Sequence, residues 1–256
     1  MDGSEGQPRQ GCGLRVVRTR SAGPLTGVLV AAVLGVPVLA GCGGGTTTRA
    51  LPPAPPSPTS AAQKPAPLVL KEARDAFVAA SAVRVKGSVP GSGNSSVAVD
   101  LRLAKGKGAV GSFTVAKSKV DVVRIGATAY LRGDDAFLAR VFGDPARAAA
   151  AKGRWVKGPV AKLAPGLAQL TDQTQFARIF DAAGSVTADG TQQLAGRPAL
   201  RLRSSKGALW LVTATGKVYP LRITRQQQGK SGALDFTDYG KLPALTAPKD
   251  AITLQS

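Results

Sequence analysis

The chain's two thiols stand on either side of an apolar run, Cys12 before it and Cys42 after it. They lack metal-ligand spacing and imply no disulfide framework, so neither a metal nor a redox cofactor is expected. No histidine occurs among the 256 residues. Serine–histidine and cysteine–histidine hydrolysis, imidazole acid–base work and histidine-ligated zinc are therefore excluded. The adjacent carboxylates Asp134 and Asp135 have no second acidic pair to complete a hydrolytic site, and they directly precede "AFLARVF", where an acidic residue favours a helix N-terminus. "GDP" at 143–145 is turn chemistry, and "ADG" at 188–190 reads as a hairpin turn. Asp235 and Asp238 in "LDFTDYG" read as exposed strand-end residues. An enzyme is not expected.

The setting of Cys42 is more informative. Arg15, Arg18 and Arg20 precede the apolar stretch "PLTGVLVAAVLGVPVLAG", which small residues close just before the cysteine. This is the layout of a secretory signal peptide. Gly27, Gly35 and Pro37 interrupt the stretch, which falls short of the about 20 apolar residues that a spanning helix needs. Leu39-Ala40-Gly41-Cys42 resembles the bacterial lipobox, which implies removal of residues 1–41 and acylation of Cys42 as the new first residue. Two or more palmitate-like chains there anchor stably where one is marginal. The expected address is the outer face of the cell membrane, held to membrane lipids through Cys42.

The formal charge is +19, and because residues 1–41 carry four basic and two acidic residues, the remainder stays at +17. In an exported protein this surplus points to anionic lipid headgroups and anionic envelope polymers rather than to nucleic acid. Residues 42–67 begin with the lipidated cysteine and continue in Gly, Thr, Pro, Ser and Ala. Such a stretch buries too little to order itself and reads as a tether spanning roughly 28 Å as a flexible coil. Residues 68–256 form the expected folded domain, a monomer.

Within that domain "LVLKEARDAFVAAS" has helical spacing, with Val69, Ala73, Ala76, Phe77 and Ala80 on one face. The period then changes to two, and Val97, Val99, Leu101 and Leu103 alternate with polar positions through a meander that turns at "KGKG" and near "KSK". Helices follow in "DDAFLARVFGDPARAAAAKG" and "PGLAQLTDQTQFARIFDAAG", with strand-like "GRWVKGPV" between them and Gly184 as a stop. Residues 185 to 248 alternate again. The order predicts an α+β fold, a large antiparallel sheet with helices gathered on one face.

"VDVVRIGATAYLRG", "GRWVKGP", "LTDQTQFARIF", "TADGTQQLAGRPALRLRSS", "ALWLVTATGKVYPLRIT" and "LDFTDYGKLPALTAP" resemble, in order and spacing, actinobacterial lipoproteins of the LppX/LprA/LprF/LprG type. These are similar in fold to the carriers LolA and LolB. The resemblance covers about residues 68 to 254. It implies a curved half-barrel with helices on its concave face, an apolar cavity between the two, and binding or transfer of acylated lipids or lipoglycans. The apolar positions that would wall such a cavity are Val99, Leu101, Phe113, Val122, Leu202, Leu211 and Ile223 on strands, with Leu170, Phe176 and Phe180 from the helical lid. The alternative is a surface lipoprotein with a filled core, acting as a sensor or interaction module.

Overall fold

The computed structural model describes residues 60–90, 96–164, 166–227 and 229–253. The signal-peptide reading, the Leu39-Ala40-Gly41-Cys42 motif and most of the tether lie outside them. Among the described residues no helix is long and apolar enough to cross a membrane.

Alternation in "SVAVDLRLA" produces β2 (Ser96–Ala104), which pairs along its whole length with β1 (Ala82–Pro90) and with β3 (Gly108–Val115). The meander continues through β4 (Ser118–Ile125), β5 (Thr128–Gly133) and β6 (Val156–Pro159). A second meander comprises β7 (Val186–Leu194), β8 (Arg197–Ser204), β9 (Leu209–Thr213), β10 (Pro220–Gln227) and β11 (Lys230–Thr237). Its last strand pairs with β1, which joins both halves in one open, curved sheet. The terminal strand β12 (Ile252–Thr253) returns beside β6 in parallel, with Ile252 N–H donating to Trp155 C=O at 2.8 Å. The sheet is therefore mixed at one edge rather than antiparallel throughout.

The inner face runs rung by rung across the strands, as in Leu131, Val122, Gly111, Leu101, Val85 and Phe236. Gly87 and Gly111 sit in mid-strand at φ of +145° and +150°, and a Cβ on either would lie 2.0 Å from a carbonyl oxygen of the next strand. Only glycine tolerates that approach. The outer face carries a row of alternating charge: Arg132 pairs with Asp121, Arg84 and Lys86 with Asp100, Arg222 with Asp235, and Arg201 with Asp189. Each such partly exposed pair contributes at most about 1 kcal/mol.

Helices cover the inner face. Helix α1 (Ala66–Ala79) buries Val69, Leu70, Ala73, Ala76 and Phe77, and Phe77 meets Phe176, Phe180 and Phe236 at centroid distances of 5.2 to 6.0 Å. Four aromatic rings thus fill the centre between lid and sheet. Asp134 caps α2 (Asp135–Phe142) by accepting from Phe137 N–H at 2.8 Å, and Asp144 caps α3 (Pro145–Ala150). "GLAQLTDQTQFARIF" is one helix by periodicity but three short pieces in the structure. These are α5 (Leu167–Thr171), α6 (Gln173–Phe176) and a 3-10 turn (Ala177–Phe180), after a single-turn α4 (Val160–Leu163). The break falls at Asp172, which is extended and caps α6 through Thr174 and Gln175 N–H. Arg124 reaches from β4 to Thr171 and Asp172, both at 3.4 Å, and ties the break to the sheet.

Three further readings are corrected. Residues 60–67 belong to the fold, not the tether: Ser60 bridges Thr215, Ala61 N–H donates to Ala214 C=O, Ala61 is buried, and α1 starts at Ala66. "ADG" is a bulge within β7, where the register with β8 shifts between Ala188 and Thr191, and the hairpin turns at Ala195-Gly196 instead. Asp235 lies within β11, bound to Arg222, while Asp238 follows the strand at φ +53° and pairs with Lys241.

Candidate functional site

The lid does not fill the inner face near the ends of β1, β2 and β3. Two clefts lie there side by side. The first, about 340 Å³, is walled by Val89, Val97, Val99 and Leu234 from the sheet and by Leu170, Phe176 and Ile179 from the lid. The second, about 450 Å³, is walled by Val97, Phe113 and Val115 below and by Phe137, Leu163, Leu167 and Leu170 above. Both volumes fall within the range of ligand sites. Val97 and Leu170 border both clefts and form the divide between them.

The space has a sequence origin. Gly87 is paired in register with both Val99 and Leu234, so no side chain rises from the sheet between these two walls of the first cleft. Gly133 lets the Phe137 ring lie against the backbone, where a Cβ would come within 2.6 Å of it. The break at Asp172 separates Leu170 from Phe176, so that they reach the sheet from two different short helices.

Of the ten wall positions expected from sequence, Val99, Phe113, Leu170 and Phe176 border the clefts. Leu101, Val122, Leu202 and Ile223 lie on the same inner face, and Phe180 faces it from the lid, but all five are packed into solid core, each no more than 1% exposed. Leu211 is on the opposite face. It stands in the outer charged row, paired with Arg222 and Arg201, and packs against Ala199 and Leu221. All of "LWLV" is apolar, so alternation alone does not choose a parity, and Trp210, fully buried, takes the inner side. Val89, Val97, Val115 and Leu167 were not among the expected walls, although the alternation on the strands and, for Leu167, the helical stripe was the available signal.

The rims of the two clefts carry Arg140, Lys162 and Arg178 and, among the described residues, no carboxylate. Beyond Ile179 lies a third, more polar hollow of about 260 Å³, walled by Ala183, Ser204, Lys206, Ala208, Arg225 and Gln226. Arg225 donates to Ile179 C=O at 2.6 Å across the wall between this hollow and the first cleft. Burial pulls the Arg225 guanidinium below its ordinary value, against the opposing pull of Asp181. A larger hollow, about 790 Å³, is on the outer face. Two of its cations pair within it, Arg222 with Asp235 and Lys241 with Asp238, while Arg84 and Lys86 pair with Asp100 beside it, and Tyr219 and Tyr239 stack at 4.5 Å.

The solved structures similar to the chain include the following three. LprF from Mycobacterium bovis matches 72% of this chain and 96% of its own at 12% identity, with a TM-score of 0.47. The Mycobacterium tuberculosis lipoprotein LppX matches 70% of this chain and 99% of its own at 15% identity, with a TM-score of 0.45. A LolA superfamily protein from Nitrosomonas europaea, NE2245, matches 70% and 96% at 10% identity, with a TM-score of 0.27. No family model matches the sequence, and no curated protein does. The functional reading therefore rests on the clefts themselves.

Proposed function

We propose that the protein binds an acylated lipid in the paired clefts between sheet and lid, carries it through the cell envelope, and works from the outer face of the membrane, held there by acylated Cys42. The observation that carries this reading is the pair of adjoining apolar clefts that share Val97 and Leu170. Two clefts on one divide suit a ligand with two chains. Exposing two 16-carbon chains to water costs on the order of 25 kcal/mol at about 0.8 kcal/mol per methylene, so unassisted transit is negligible. An apolar cleft exchanges one hydrocarbon surface for another, and this work needs no catalytic group.

The test is native mass spectrometry of the full chain purified from its own membranes. A co-purifying species with the mass of a diacyl lipid, displaced by a second such lipid, is the expected result. A lipid-free chain that also fails to extract pyrene-labelled phosphatidylglycerol from phosphatidylcholine vesicles would overturn it. The filled-core alternative draws on the Phe77, Phe176, Phe180 and Phe236 cluster, which leaves no space at the centre of the sheet. The same vesicle assay decides between the two.

A further inference from the structure

The three inner-face hollows follow one another along a single end of the sheet. Val115, Val97 and Val89 are successive register partners on β3, β2 and β1. Next to Val89 comes Gly232 of β11, whose Cβ would lie 2.8 Å from the Val89 Cα. Gly232 in turn pairs with Arg225 of β10. The row thus passes from purely apolar to cationic at Arg225, and the hollows change in step: two apolar clefts, then the one walled by Arg225, Lys206 and Ser204.

Two observations mark the third hollow as unfinished. Arg225 Nε is buried and has no hydrogen-bond partner among the described residues. Lys206 is exposed at the same hollow and makes no ion pair among the described residues, whereas Ser204 Oγ donates to Ala183 C=O and receives Lys206 N–H. Asp181, the carboxylate that pulls on Arg225, is itself paired with Arg74 at 3.2 Å, so the half-buried guanidinium keeps an idle donor, and an anion supplies the missing acceptor. The desolvation that lowers the Arg225 guanidinium reflects the same shortfall.

We infer that the Arg225–Lys206 hollow is a headgroup site and that the ligand is an anionic, phosphate-bearing diacyl lipid, its chains in the two apolar clefts and its phosphate on Arg225 and Lys206. This rests on the lipid-binding reading above and names the ligand class. Arg178 is exposed on the rim of the first cleft and adds a further cation beside the chains.

The test compares extraction of two lipids with identical acyl chains, phosphatidylglycerol and diacylglycerol, from phosphatidylcholine vesicles by the full chain. The wild type is expected to prefer phosphatidylglycerol by about tenfold or more, since a charge-assisted contact is worth at least that factor. In Arg225→Gln the ratio should fall towards one. Lys206→Glu changes an exposed side chain and so tests the same site without disturbing packing; its ratio should fall too. A wild type without preference, or variants that keep it, overturns the headgroup site while leaving lipid binding intact. Uptake of neither lipid overturns the lipid-binding reading itself, and this one with it.

Discussion

Val97 and Leu101 stand on the same face of β2 but in different surroundings. Val97 is half-buried on the divide between two open clefts, while Leu101 is fully enclosed between Val85 and Gly111. A phenylalanine at Leu101 has nowhere to go, and overpacking of that kind costs about 1–3 kcal/mol. For a domain of this size, at about 2–4 °C per kcal/mol, Tm should fall by roughly 2–12 °C. The same ring at Val97 enters spaces of about 340 and 450 Å³, so stability should stay within about 0.5 kcal/mol of wild type. It also occupies the passage that both clefts share, so extraction of a diacyl lipid should drop by about tenfold, the equivalent of losing some 1.4 kcal/mol of binding. Thermal unfolding and vesicle extraction, run on Val97→Phe and Leu101→Phe together, read both quantities. If Val97→Phe loses as much Tm as Leu101→Phe, or extracts lipid as well as wild type, the clefts are not ligand space and the reasoning fails.

Other perturbations probe the scaffold. Gln173, buried in α6, donates its side-chain amide to Phe77 C=O at 2.6 Å and Ala80 C=O at 2.8 Å, closing the end of α1. Gln173→Leu strands two carbonyls and should cost about 1–3 kcal/mol in urea unfolding; an unchanged midpoint would mean that they find other donors. Gly87→Ala places a Cβ 2.0 Å from Ala233 C=O at φ +145° and should abolish cooperative unfolding, so a well-folded variant would refute the close approach of β1 and β11. The Asp100 carboxyl is held below its usual range, first by the hydrogen bond from Arg84 and then by the charges of Arg84, Lys86 and Arg102. Its folded pKa lies below the unfolded one, so the pair stabilises above the ordinary carboxylate range and that contribution is lost as pH falls through the lowered pKa. Asp100→Asn should flatten the acid decline of the urea midpoint, and an identical slope would show that the carboxylate carries no such linkage.

Clean alternation made the inner face of β2 legible from sequence, and Val99 and Leu101 were placed on the correct side for that reason. Distinguishing them was another matter. Whether an inward residue meets lid or void depends on Gly87 across the strand and on where a distant helix breaks, and neither is a local property. Asp172 illustrates the second point: periodicity runs straight through it, but its carboxylate serves Thr174 and Gln175 N–H in preference to continuing the helix. The early start of the fold at Ser60 was hidden because its partner, Thr215, is far away in sequence, and Ala61 alone offers little apolar signal. The cationic hollow had no local motif either, since Lys206 comes from the turn between β8 and β9 and Arg225 from β10, and they meet only through the sheet.

An open sheet has two raw edges, and either could recruit another chain by backbone pairing. Here the β6 edge is capped by the two residues Ile252 and Thr253, and the β7 edge carries a bulge at Ala188–Thr191 with Asp189 drawn back to Arg201 and Arg203. A bulged, largely polar border is a poor template for a further strand. Cutting the chain before Ile252 would remove one of these two stops and leave the backbone of Val156 and Lys157 as an unpaired edge.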